Sequence, residues 1–254
     1  MNQTPTPHSQ RSVITLTAIL LAAMLGFGVW HISAHHRTKR DELNTRQRVY
    51  AVALAEHADR ALGEVRQILD RIEDDLRQQG RHQKLSEQVL QDIFRQRTQN
   101  VPQVGSVFLT NADGMVQGTS LGPLTKPISL ADRDYFQYHR NNPSAATYYS
   151  RPFLSKYDNT WRFSVSCRLN RPDGSFNGIL GIALPVSYFQ EFYQRLQPLP
   201  SERISLIRLD GYLLLSLPTD GNAYQINLAD SELFTSQLPR QPSGTFSGRL
   251  LSHD

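Results

Sequence analysis

Hydrophobic and polar positions divide the chain into an N-terminal part with helical spacing and a C-terminal part with strand spacing. The first feature is Val13 to Trp30, an apolar run without one charge. A helix rises about 1.5 Å per residue, so this run and its flanks nearly span a bilayer of about 30 Å. We predict a transmembrane helix over 13–33, after a cytoplasmic tail at 1–12. A cleaved signal peptide fits less well, because the run is long and Ile32-Ser33-Ala34 is a poor cleavage site.

A long helical pattern follows, from Thr38 to Gln79. Its apolar positions are spaced alternately by four and three, which is the pattern of a heptad seam. They are Ala51, Ala55, Ala58, Leu62, Val65, Leu69, Ile72 and Leu76. This stripe can pack on its own domain, pair with a second copy, or do both, and we expect a stalk that forms a homodimer. A second helix, Ser86 to Gln99, completes a region of stalk and packing helices at 34–100.

From residue 101 the period changes to an alternation of two, which is typical of strands. The predicted strands are Gly105–Thr110, Met115–Thr119, Tyr148–Leu154, Trp161–Leu169 and Phe176–Leu184, followed by a helix over Tyr188–Leu196. Two further strands, Ile204–Arg208 and Tyr212–Ser216, flank a turn at Asp210-Gly211, and Gly244–Leu251 has the pattern of another. The order predicts an α+β fold, with a PAS-like module at 101–198 and a second, incomplete PAS-like module at 199–254.

The stretch ISLADRDYFQYHRNNP, from Ile128 to Pro143, places charged and aromatic residues on one short helix. Ser129 and Asp132 have the spacing of a capping box. In this motif the Ser129 oxygen accepts a hydrogen bond from the backbone N–H of Asp132, and the Asp132 carboxylate accepts one from the backbone N–H of Ser129. We therefore predict a helix that begins there and runs to Arg140. It ends before Pro143, because the residue before proline avoids the α region.

Charge and cysteine content exclude several classes. The net charge of +4 and the pI of about 9.3 come from basic residues spread along the whole chain, so no nucleic-acid partner is predicted. The single cysteine, Cys167, excludes an intrachain disulfide framework and a Cys-rich zinc site. Gly118–Gly122 matches the G-x-S-x-G pattern of hydrolases, but Pro123 and Pro127 block the helix that this motif requires. We expect no catalytic residue, metal site or cofactor.

The segments ADRDYFQYHRNNP and SRPFLSKYDNTWRFSVSCRLNRPDGSFNGILGIALPVSYFQEFY resemble the double Cache sensor region of membrane-bound bacterial signalling proteins. The resemblance covers about Thr38 to Asp254. It implies a long helix followed by two PAS-like modules, of which 101–198 is the membrane-distal, ligand-binding one. It also implies an inner-membrane protein whose sensor region lies in the periplasm. The charge bias disagrees, because Arg37, Lys39 and Arg40 follow the span and only Arg11 precedes it, which would place the C-terminal side inside.

The same resemblance implies a ligand pocket lined by Arg133 and Tyr135. An Arg fork can hold a ligand carboxylate in two parallel hydrogen bonds. Trp161 and Ser164 would supply a wall and a hydroxyl, and the two remaining candidates are His139 and Arg151. Four of these candidates have a structural alternative: Arg133 pairs with Asp134, His139 and Trp161 pack in the interior, and Arg151 lies on the surface.

The resemblance leaves the ligand and the output open. Its amino-acid-binding branch carries a carboxylate on the late strand that holds the ligand amine. Gly181–Pro185 contains none, so a small organic acid is expected rather than an amino acid. The leading interpretation is a membrane-anchored ligand sensor without catalysis. The alternative is the N-terminal part of a diguanylate cyclase or sensor histidine kinase whose catalytic domain lies beyond Asp254.

Overall fold

The structure, a computed structural model, describes residues 7–79, 85–144, 147–196, 202–219 and 223–246. Contacts divide the chain into two units, 1–52 and 53–254. The helices are α1 (Pro7–Gln79), α2 (Glu87–Thr98), α3 (Asp134–Asn141), α4 (Val186–Gln194) and α5 (Leu238–Arg240). The strands are β1 (Ser106–Thr110), β2 (Val116–Thr119), β3 (Tyr148–Tyr149), β4 (Phe153–Leu154), β5 (Trp161–Asn170), β6 (Phe176–Pro185), β7 (Ile204–Ile207) and β8 (Leu213–Leu217). These elements confirm the α+β class.

The first unit contains the N-terminal part of α1. Met24, Phe27 and Trp30 are exposed there, as are Val49 and Val52 nearer the end of the unit. In the part of the chain that the structure describes, no helix is both long and apolar enough to cross a membrane. Most side chains of the predicted span, 13–33, lie outside the described ones.

A six-stranded antiparallel sheet organises the second unit. Its order is β2-β1-β6-β5-β3, and β4 also pairs with β5. The long hairpin of β5 and β6 forms its centre, with Phe163 opposite Leu184 and Ser164 opposite Ala183. The predicted strand over 148–154 is divided into β3 and β4, because Pro152 and its neighbours interrupt the pairing with β5.

One face of this sheet carries the main hydrophobic core. Phe163 and Val165 of β5 are fully buried there. The helices that cover this face contribute Val65, Leu69 and Ile72 of α1, Leu90, Ile93 and Phe94 of α2, and Val186, Phe189 and Tyr193 of α4. The apolar residues of the heptad stripe therefore pack within their own chain from Ala58 onward. This agrees with the prediction that the stripe can pack on its own domain.

The region after residue 201 adds a two-stranded antiparallel sheet of β7 and β8. This confirms the predicted strand-turn-strand around Gly211. Leu214, Leu215 and Leu217 of β8 join the same core as α1, so the two predicted modules share one hydrophobic interior. Of the predicted strand at 244–251, residues 244–246 are not in a strand and 247–251 lie outside the described residues.

The predicted capping box is wrong. Helix α3 begins at Asp134, with Arg133 as its N-cap residue, and not after Ser129. Ser129 forms a bridge with Met115 and Leu130 N–H donates to Gly114 O at 2.8 Å, and residues 131–133 then form a turn that leads into the helix. The Asp132 carboxylate is bound by Lys156 instead of a helix N–H. The end of α3, at Asn141, is close to the predicted one.

Candidate ligand-binding site

The second face of the sheet borders a cavity between β1, β5, β6, α3 and the loops after β2 and β4. Its empty volume is about 520 Å³, including the open mouth. Most of the wall is apolar: Phe108, Val116, Leu121, Leu124, Ile128, Leu130, Phe153 and Ala183. A mostly apolar lining with a few polar side chains is typical of small-molecule sites in proteins.

Aromatic rings shape the floor of the cavity. Phe108 lies across Gly181 of the neighbouring strand, where a Cβ atom would be 2.3 Å from Phe108 Cζ. Glycine is therefore required at this position of β6. Tyr135 is 1% exposed, and its ring lies 5.7 Å from that of Phe108 and 5.5 Å from that of Phe153. Burial raises the pKa of Tyr135, so its hydroxyl keeps its proton at physiological pH.

Arg133 is the basic residue at the start of α3, and it lines the cavity. Its Nη2 donates to Leu154 O at 2.8 Å, and its guanidinium lies 4.9 Å from the centre of the Phe153 ring. These two contacts hold the side chain in place. Its Nε is buried and has no hydrogen-bond partner among the described residues. A buried donor without a partner costs free energy, which a bound acceptor would recover.

The two other basic residues of the wall already have carboxylate partners. Lys156 Nζ donates to Asp132 Oδ1 at 2.6 Å, and this bond lowers the pKa of Asp132. Arg162 is 7% exposed and donates to Asp158 Oδ2, to Thr160 Oγ1 at 2.9 Å and to Ser106 Oγ at 3.1 Å. The charge of Arg133 has no such partner within the described part of the chain.

His139 and Ser164 lie on the same side of the sheet as the cavity, but their side chains do not line it. His139 is fully buried, and its Nε2 lies 3.0 Å from Ser166 Oγ. Burial lowers the pKa of His139 to about 4, so the imidazole is neutral at physiological pH. Ser164 is also fully buried, and its N–H donates to Ser150 Oγ at 2.8 Å. Both side chains belong to the packing between α3 and β5.

Trp161 and Arg151 lie elsewhere. Trp161 packs against the main core and lies 4.3 Å from Tyr224, ring centre to ring centre. Arg151 is exposed, with its guanidinium 3.7 Å from the centre of the Tyr212 ring. Its backbone N–H donates to Asp134 Oδ2 at 2.8 Å. Of the six sequence-derived candidates, the structure thus brings Arg133 and Tyr135 together at the cavity.

Sequence reasoning missed several residues of the wall, above all Arg162, Lys156 and Tyr157. The signal for Arg162 was present. Side chains alternate between the two faces of a strand, so residues three apart, such as Trp161 and Ser164, point to opposite faces. The residue that shares a face with Ser164 is Arg162. Lys156 and Tyr157 lie in the turn after β4, where no periodicity marks which side chains face inward.

Comparison with known proteins identifies the fold. The family model of the Cache domain (dCache_1) matches residues 32–252. The chain belongs to the Cache domain family. Cache domains are extracellular or periplasmic sensor regions of signalling proteins and are not catalytic. The predicted resemblance to the double Cache sensor region is therefore confirmed. No curated protein sequence matches this chain.

Solved structures agree with this assignment. The extracellular domain of rpHK1S-Z16, described as a predicted histidine kinase, is 32% identical with a TM-score of 0.66, over 78% of this chain and 79% of that one. The periplasmic sensory domain of the Campylobacter jejuni chemoreceptor Tlp1 is 14% identical with a TM-score of 0.56, over 74% and 77%. The ligand-binding domain of the Campylobacter jejuni chemoreceptor Tlp3, solved with L-norvaline, is 12% identical with a TM-score of 0.51, over 78% and 73%. The last two show likeness of fold alone.

Proposed function

We propose that this Cache chain is the membrane-anchored, extracytoplasmic ligand-sensing region of a bacterial signal-transduction protein, and that it binds a small anion beside Arg133. The observation that carries the proposal is the buried Nε of Arg133, which has no partner among the described residues and belongs to a cavity-lining side chain. A carboxylate placed there would accept a charge-assisted hydrogen bond, which is stronger than one between neutral groups.

An organic acid fits this site better than an amino acid. No carboxylate is among the described residues that line the cavity. An amino-acid ligand carries an ammonium group, and burying that group without an acceptor of opposite charge is costly. On β6, where the amino-acid-binding branch would carry its carboxylate, the residue that lines the cavity is Ala183. Tlp3, in contrast, was solved with the amino acid L-norvaline.

The anchor and the output are further parts of the proposal. The uncharged run Val13–Trp30 supports a membrane anchor, and the extracellular origin of the similar domains supports a periplasmic location for the sensor. The identity to rpHK1S-Z16 favours a sensor histidine kinase over a diguanylate cyclase as the signalling protein. We also propose a homodimer through α1. Because the stripe from Ala58 onward is used in the core, the dimer contact would include Val49 and Val52, which are exposed.

The test is ligand-dependent thermal stability of the complete 254-residue chain in detergent or nanodiscs. The probes are acetate, lactate, succinate, 4-methylpentanoate and L-valine. We expect at least one acid to raise the melting temperature of the wild type and to bind Arg133→Ala at least tenfold more weakly, because a charged hydrogen bond contributes about 1.5–3 kcal/mol. Arg133→Lys should also bind more weakly, since it keeps the charge but loses the planar fork.

Arg151→Ala is the matched control, because it removes an arginine outside the cavity. It should bind the acid as the wild type does. Circular dichroism of each ligand-free variant separates loss of binding from loss of fold. An acid that stabilises the wild type and Arg133→Ala equally would remove Arg133 from the site, and a wild type that none of the acids stabilises would contradict the proposal.

A further inference from the structure

The cavity wall combines a small set of polar side chains with a larger apolar part. The polar set comprises Arg133, Lys156 and Arg162 with a few hydroxyl groups. The apolar part is formed by Val116, Leu121, Leu124, Ile128, Leu130 and the rings of Phe108 and Phe153. A ligand that fills this space must present hydrocarbon to most of the wall, because polar groups placed there would lose water without gaining hydrogen bonds.

The charges of the polar set leave room for a single anionic group. Asp132 already binds Lys156, and Asp158 already binds Arg162. Arg162 also donates to Ser106 and Thr160, so its donors are largely occupied. Among the three basic residues of the wall, this leaves Arg133 without a carboxylate partner in the described part of the chain. A second carboxylate on the ligand would therefore be buried without a cation of its own, at a high desolvation cost.

An ammonium group on the ligand would also lack a partner. No carboxylate is among the described residues that line the cavity, and the neighbouring Asp132 and Asp158 are already bound to cations of the wall. The guanidinium of Arg133 would repel a ligand cation placed next to the carboxylate it binds. The arrangement thus disfavours zwitterions as well as dicarboxylates.

We propose that the cavity selects a monocarboxylate with a short aliphatic tail and no further charge. The carboxylate accepts from Arg133, and the tail lies against Val116, Ile128, Leu130 and the two phenylalanine rings. This inference rests on the proposed function, because it names the ligand class of the same site. It goes further by stating that the apolar wall, and not general positive charge, decides which acid is bound.

The experiment measures dissociation constants by isothermal titration calorimetry on the complete chain, with four compounds that share one carbon skeleton. They are 4-methylpentanoate, its 2-amino derivative L-leucine, its dicarboxylate counterpart 2-methylglutarate, and the neutral 4-methylpentanamide. We expect 4-methylpentanoate to bind at least tenfold more tightly than each of the other three. Arg133→Ala should reduce its affinity at least tenfold, and Arg151→Ala should leave it unchanged.

A chain-length series tests the apolar wall separately. Propanoate, butanoate and pentanoate carry the same charge, so only the tail differs. Each buried methylene should strengthen binding roughly fourfold. Affinity that does not change along the series would overturn the inference, since it would show that the tail stays in water.

The outcomes separate this inference from the proposed function. Tighter, Arg133-dependent binding of 2-methylglutarate or L-leucine would overturn the ligand class and leave an anion sensor in place. If no carboxylate of these two sets binds but lactate or succinate binds in an Arg133-dependent way, the ligand class is wrong and the proposed function stands. If none of the tested carboxylates binds in this way, both are wrong.

Discussion

The two faces of the central sheet come from alternate residues of the same strands, but they are built differently. Toward α1, β5 presents Phe163 and Val165, which are fully buried among aliphatic and aromatic side chains. Toward α3, it presents Arg162 and Ser166, whose side chains are buried and hydrogen-bonded, and Ser164, whose buried hydroxyl has no partner among the described residues. Burial alone therefore does not distinguish the face that stabilises the fold from the face that carries the site.

The difference lies in what each buried group contacts. On the core face, buried area contributes about 25 cal/mol per Å² and needs no directional partner. On the cavity face, each polar group needs a partner, and Arg133, which lines the cavity, has an Nε without one among the described residues, where a ligand would supply it. We therefore expect changes on the first face to alter stability most and changes on the second to alter binding or pH dependence.

The largest expected effect is on the core face. Phe163→Ala removes a fully buried ring next to Phe189 and should reduce the free energy of unfolding by about 3–5 kcal/mol. The matched variant is Phe153→Ala at the cavity, which removes the same ring from a half-buried position and should cost less. Urea denaturation followed by circular dichroism measures both. A larger loss for Phe153→Ala would reverse the comparison.

The next largest effect is a dependence of the folding stability on pH, and it arises from His139 on the cavity face. The pKa of His139 falls from 6.5 to about 4 because of burial, with a smaller contribution from the charge of Arg168. Between these values the unfolded chain binds more protons than the folded one, so stability decreases as the pH falls. The decrease should approach about 3 kcal/mol across the window.

The measurement is urea denaturation at several pH values from 7 to 4, for the wild type and His139→Gln. The variant cannot titrate at this position, so its stability should change less over the same range. The two proteins are compared by how steeply the free energy of unfolding changes with pH, because the substitution itself changes the absolute stability. Identical slopes would show that His139 does not cause the pH dependence.

The smallest effect concerns the ion pair between Lys156 and Asp132 at the cavity mouth. The side chains are 37% and 63% exposed, so water screens their attraction. Lys156→Ala should change the free energy of unfolding by less than about 1 kcal/mol. Denaturation in low and high salt checks this, since the wild-type contribution should decrease further in salt. A loss comparable to that of Phe163→Ala would mean that the cavity mouth supports the fold.

The sequence predicts the core face better than the cavity face for a physical reason. Apolar residues at helical or alternating spacing identify what is buried, which is why α2, β1, β5 and β6 lie close to their predicted bounds. Contacts between segments distant in sequence leave no such pattern. The Lys156 bond to Asp132 is one example, and it also explains why the capping box at Ser129 does not form.

For the site, the sequence and the family resemblance led to Arg133 and Tyr135 but not to the rest of the wall. Strand alternation would have replaced Trp161 by Arg162, since only the latter shares a face with Ser164. His139, in contrast, is a predicted pocket residue that does not line the cavity. Its position on α3 does not reveal that its ring contacts Ser166 instead. The apolar wall after β2 could not be predicted, because Leu121, Leu124 and Ile128 lie in a loop without periodic spacing.

Methyl NMR of the complete chain, titrated with 4-methylpentanoate, tests the central claim most directly. Methyl groups report each face separately, on the cavity wall at Val116, Leu121, Leu124, Ile128 and Leu130, and on the core face at Val65, Leu69, Val165 and Leu184. The account predicts saturable shifts at the first set, little change at the second, and no saturable shifts in Arg133→Ala. Shifts confined to the second set, or shifts that persist unchanged in Arg133→Ala, would contradict it.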